Sequence, residues 1–146
     1  MPLLPNSELV VVSWLQDIAY LGTRVATSLP TDNSTWSASG FVTATVAGGD
    51  ADSETGWRRP VMSIGCWGAA PNSGKPPWNL ASQLAEQVRA AVLAHGAVPR
   101  AVDLPAAYSG AFVRTVMLRS EPHRVPGDVS SYAHYTLDLE FWWVAT

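Results

Sequence analysis

The chain has a single cysteine, Cys66, and a single lysine, Lys75. One cysteine excludes an internal disulfide and the usual cysteine-built zinc sites, and it suits a reducing compartment. So little lysine and a formal net charge of -3 argue against a high-affinity nucleic-acid binder, because phosphate neutralisation needs a clustered basic face. Charge of either sign is sparse. Charged residues make up 14% of the chain against 47% apolar, so some apolar surface is expected to meet a partner. Long apolar runs are also missing, and none approaches the roughly 20 residues that span a bilayer. The opening "MPLLPNSELVVVSWL" lacks a basic n-region and carries Glu8, so it does not read as a secretory signal. Without such a signal, the glycosylation-type triplet Asn33 to Thr35 reads as a polar loop.

What the chain does have is tryptophan: seven in 146 residues. Trp serves either a core or a surface where two proteins bury area against each other. The length suits one domain, residues 1–146, able to bury roughly 70% of its unfolded surface.

Apolar periodicity predicts a helix over about 7–20, capped by Asn6 or Ser7 and stopped by Gly22. "RVATSLP" reads as a short strand, "TDNSTWSASG" as a loop, and "FVTATVAGG" and "RRPVMSIGCWG" as strands joined by an acidic turn. In the third strand Met62, Ile64 and Cys66 share one face. "PPWNLASQLAEQVRAAVLAHG" is the clearest helix, with Leu84, Val88, Ala91 and Val92 in its apolar stripe and Gly96 as its stop. Three more strand-like runs follow. The last places Tyr135, Leu137, Leu139, Phe141 and Trp143 on one face and His134, Thr136, Asp138, Glu140 and Trp142 on the other. This order predicts an α+β fold: a mixed, largely antiparallel sheet with both helices packed on one face.

Residues 68–77, "GAAPNSGKPP", lie between a strand and a helix, where a phosphate-binding loop would belong. Five residues rather than four separate Gly68 from Gly74 and Lys75, no hydroxyl follows Lys75, and Pro76 and Pro77 remove two backbone donors. The stretch reads as a connection whose prolines or Trp78 start the helix. Cys66 could act as a nucleophile with His95, His123 or His134 as base, but its apolar strand face argues for an inert core thiol. The histidines are not at metal-ligand spacing. Asp138 and Glu140 fit the polar side of an amphipathic strand as well as acid-base work. Asp50, Asp52 and Glu54 lack the later Gly and distal Glu of a calcium loop. No cofactor, metal or catalytic set is expected.

The order of elements is more informative. The opening segment, the strand and loop with "LPTD", the "RRPVMSIGCWG" strand leading into "LASQLAEQVRAAVLAHG", and the Pro-rich loop before "YAHYTLDLEFWW" together resemble the tail terminator (tail completion) proteins of long-tailed bacteriophages, particularly those of actinobacterial hosts. The resemblance covers nearly the whole chain. It implies a non-enzymatic virion protein, assembled in the host cytoplasm as a ring, usually a hexamer, on the head-proximal end of the tail. Such a ring stops tube polymerisation, docks the head connector and lets genomic DNA pass without specific binding. The implied partners are copies of the chain itself, the major tail tube protein and the connector, with no membrane.

Ring closure needs heterologous patches on each subunit, and mild acidity suits a channel in which DNA slides. Trp36, Trp57, Arg58, Arg59, Arg124 and Trp142 are the expected interface residues, the arginines offering bidentate bonds to a neighbour's carboxylates. The loops at 47–57 and 121–131 are the expected tube or connector contacts. The competing expectations are another head-to-tail joining protein, a small enzyme using Cys66 with His134, and a carbohydrate-binding module with Trp platforms.

Overall fold

The computed structural model describes residues 1–73, 75–126 and 132–146. Gly74 of the near-miss phosphate loop and residues 127–131 of the second long connection lie outside the described residues.

Helix α1, Ser7–Ile18, begins where Asn6 Oδ1 accepts the Leu9 N–H at 2.8 Å, which satisfies one of the orphan donors of the first turn. The chain leaves the helix through Tyr20 and Gly22, both at φ 56°, so the expected glycine stop is preceded by a tyrosine in the left-handed region. Strands β1 (Val25–Ala26), β2 (Phe41–Ala51) and β3 (Arg58–Ala69) follow. Helix α2, Trp78–His95, starts directly after Pro77 and closes with the Gly96 N–H bonded to Val92 O. Strands β4 (Arg100–Val102), β5 (Ala111–Leu118), β6 (His123–Arg124) and β7 (Tyr132–Ala145) complete the chain.

The sheet order is β1-β2-β3-β7-β5-β4, antiparallel throughout except for the β1–β2 pair. β6 pairs with Tyr135 and Thr136 of β7, beyond the point where β5 stops at the Leu118–Leu139 pair. β5 and β6 are thus one interrupted strand alongside β7. At the break, Ser120 Oγ accepts the Asp138 N–H at 2.8 Å, and Pro122, with no N–H to give, lies between the two segments.

Both helices lie on one face of the sheet, as the pattern predicted. Met62, Ile64 and Cys66 of β3 and Leu137, Leu139, Phe141 and Trp143 of β7 are fully buried in one core with Val10, Val11, Trp14 and Leu15 of α1 and Leu84, Ala85 and Val88 of α2. Burying each large aliphatic side chain here contributes about 1.5–3 kcal/mol. Helix α1 touches both β2 and β4, which are far apart in the strand order, so the sheet curls around it. Trp14 meets Phe141 edge to face at 5.5 Å, an arrangement favoured by the ring quadrupoles. Trp143 Nε1 donates to Ser7 Oγ at 3.0 Å, tying the start of α1 to β7 inside the core.

Among the described residues, the other face of the sheet is covered at one end only. There the segment between β1 and β2 folds over it, and Trp36, Phe41 and Ala69 form a small second core with Leu29, Trp67 and Tyr132 packed against it.

Candidate interface on the open face of the sheet

Beyond the Trp36 corner, neither helix and no other described segment of regular structure lies over the outward residues of β3 and β7, most of which are half-buried. Two clusters occupy this face, and period-2 alternation accounts for both. In the first, Trp67 and His134 stack with ring centroids 3.6 Å apart, and Trp67 Nε1 donates to Thr43 Oγ1 at 3.0 Å. Gly65 leaves room for this group: a Cβ there would come within 2.6 Å of Thr43 Oγ1 and 2.9 Å of His134 Nε2.

The second cluster is a notch of about 250 Å³ lined by Asp52, Thr55, Trp57, Arg59, Arg114 and Trp142. Its position follows from strand register. Arg58 pairs with Trp143 and Val61 with Glu140, so Arg59 falls opposite Trp142, and its guanidinium lies 5.2 Å from the indole centroid. A register shift in β5 between Val113 and Thr115 brings Arg114 to the same notch. Trp57 closes the side formed by the β2–β3 turn.

That turn is well fixed. The Asp52 N–H bonds to Trp57 O at 3.0 Å, and the Asp52 carboxylate accepts from the Thr55 hydroxyl at 2.7 Å and from the Glu54 and Thr55 N–H groups. The Thr55 hydroxyl, followed by those backbone donors, holds the Asp52 carboxyl below its ordinary value, with Arg59 adding a smaller electrostatic effect. The Asp52 oxygens are therefore engaged locally. Glu140 is likewise occupied, accepting from Trp142 Nε1 and pairing with Arg119 at 3.6 Å. Among the described residues neither Arg59 nor Arg114 has an ion pair. The notch thus holds two guanidiniums, neither in an ion pair among the described residues, between two half-buried indoles, with the Asp52 carboxylate in its wall.

Of the residues expected at an interface, the structure brings Trp57, Arg59 and Trp142 together. Arg58 points to the opposite face, its guanidinium 4.7 Å from the Trp143 ring. Arg124, exposed on β6, sits 4.1 Å over Trp78 at the start of α2. Trp36 corrects the expectation, because it is 3% exposed and its ring faces Phe41 and Tyr132 inside the subunit. Short spacing to Gly, Ser and Asp made its segment look like an open loop, but contacts with residues distant in sequence bury it. The 47–57 connection is also shorter than expected, since β2 runs on to Ala51, paired with Arg58, and only the turn remains. Arg114 was not anticipated. The alternation Phe112, Arg114 would have placed it outward, but nothing local pairs β5 with the Trp142 end of β7.

The reactive-thiol expectation fails on geometry. Cys66 is 0% exposed on the helix face, and burial pushes its thiol up to about 12. It pairs with Tyr135, whereas His134 pairs with Trp67 on the other face, so the two side chains project from opposite sides of the sheet. Lys75 is exposed in the β3–α2 connection, and a Cβ on Gly68 would meet Pro77 at 3.1 Å. The glycine there serves strand-to-helix packing. No helix among the described residues is long and apolar enough to cross a membrane.

No protein-family model matches the chain, and no curated protein matches it either.

Proposed function

We propose that this chain is a tail terminator protein of a long-tailed bacteriophage, assembling as a ring on the head-proximal end of the tail tube. The observation that carries the reading is the half-open sheet. Both helices cover one face, and the uncovered part of the other presents Trp57, Trp142 and Arg59, three of the residues expected at an interface, on one outward surface. Indole and guanidinium are the groups most enriched at the centres of protein interfaces.

Further apolar surface is available for a second contact. Leu3 and Leu4 of the opening segment are 54% and 78% exposed, and Tyr20, Leu93 and Val98 are exposed on the helix side. Two unlike patches on one subunit are what head-to-tail closure requires. The outer edge of β2 beyond β1 is guarded against indiscriminate pairing. Its register shifts between Val46 and Gly48, and the Val46 N–H is taken by Glu8 at 3.1 Å. In this reading the chain is not an enzyme and holds no cofactor. Its partners are its own copies, the tube protein and the connector, and DNA passes without being gripped.

Sedimentation velocity of the purified chain, alone and with isolated tail tubes, tests the proposal. A closed oligomer that co-sediments with tubes is expected. A monomer at every concentration that ignores the tubes would refute it, and an oligomer that binds the portal side instead would favour a head-closure role.

A further inference from the structure

We propose that the notch between Trp57 and Trp142 is a receptor for one carboxylate side chain of a protein partner, carried beside an apolar residue. The inference rests on the assembly reading for the kind of partner, a protein, and on the notch itself for the chemistry.

Three features of the notch lead there. The first is charge: Arg59 and Arg114 both line it, while the Asp52 oxygens are taken up by hydrogen bonds of the β2–β3 turn, Glu140 pairs with Arg119, and Asp50, opposite Arg59 in the ladder, makes no ion pair with it. Two guanidiniums without an ion pair among the described residues present the planar donor forks that match a carboxylate. The second is size. At about 250 Å³ the notch falls below the roughly 300–1,000 Å³ of sites that enclose a drug-sized ligand or cofactor. It accommodates a side chain. The third is the walls: two half-buried indoles, one of them under Arg59, offer apolar area to the residue next to the acid.

A nucleic-acid strand fits less well. Tracking a backbone takes a continuous basic groove, whereas Asp50 and Glu54 stand exposed beside this notch and the chain as a whole is acidic.

The test follows the indole Nε1–H signals of Trp57 and Trp142 by NMR while the full chain is titrated with N-acetyl-Leu-Glu-amide, its Gln analogue, or a short oligothymidylate. Saturable shifts of both indoles with the Glu peptide, absent with the Gln peptide, are expected. Arg114→Gln, at an exposed position, should weaken that binding by about tenfold to a hundredfold, with the remaining spectrum unchanged. Arg59→Gln should do the same.

Equal responses to the Glu and Gln peptides, no response up to the peptide's solubility limit, or tighter saturation of the same indoles by the oligothymidylate would each overturn the proposal. A chain that binds the Glu peptide but never oligomerises would sink the assembly reading and leave the notch intact. A ring that ignores the peptide would do the reverse.

Discussion

Replacing Ser7 with alanine removes one oxygen from the protein interior. Ser7 is 5% exposed, Trp143 is 0% exposed, and the 3.0 Å bond from Trp143 Nε1 to Ser7 Oγ is buried. In the variant the indole N–H keeps its burial and loses its acceptor, which costs about 1–3 kcal/mol. Alanine's better helix propensity in α1 returns roughly 0.5 kcal/mol of that. The net expectation is about 0.5–2.5 kcal/mol, or a fall in Tm of roughly 1–10 °C at the ~2–4 °C per kcal/mol usual for a domain of this size. Urea unfolding followed by far-UV circular dichroism measures the loss as a change in midpoint at constant slope. The decisive comparison uses a second background. Trp143→Phe removes the donor and itself costs stability by leaving a void, but once it is in place Ser7→Ala should cost nothing. A Ser7→Ala penalty of equal size in both backgrounds would show that the bond contributes no coupling and refute the reasoning.

Trp57→Ala should weaken assembly while leaving the subunit folded, because Trp57 belongs to a surface turn rather than to either core; an unchanged sedimentation profile would remove it from the interface. Gly65→Ala should destabilise by about 1–3 kcal/mol by pushing a methyl into the Trp67–His134 stack, seen as changed indole fluorescence, and should spare the notch. Cys66 gives the alkaline limb of stability: its thiol is raised from 9.0 to about 12 by burial, so above pH 9 the unfolded chain releases a proton that the native chain keeps. Stability should therefore fall as pH rises from about 9 towards 12, by up to ~1.4 kcal/mol per unit. Cys66→Ala should flatten that limb, and an identical pH profile for the variant would count against it. At the other extreme the Asp52 carboxyl is held low by its turn bonds, so the turn's order should persist through neutral pH and fade only as pH falls below the ordinary value of 3.8, read from the Thr55 and Trp57 amide shifts.

The elements themselves were readable in the order of residues. The stripe of Leu84, Val88, Ala91 and Val92 and the alternation from Tyr135 to Trp143 each placed a face correctly, because burial acts on periods of 3.6 and 2 that any window of the chain displays. The candidate interface was legible only in part. Trp57, Arg59 and Trp142 could be singled out by residue type, but nothing in their spacing distinguished them from Trp36, which spends its ring inside the subunit. Arg114 joins them through a shift in strand register set by the pairing of β5 with β7.

By itself, then, the sequence determined both helices and the longer strands, which side of each is apolar, and that Cys66 sits on an apolar side, but not β6, which falls within the connection expected at 121–131. Local sterics and hydrophobic periodicity need no distant partner. Only the tertiary structure decided which tryptophans are interior, that Cys66 and His134 project from opposite faces, and that two arginines from different strands share a notch between two indoles. Those outcomes depend on strand order and register, which bring together residues far apart in the chain.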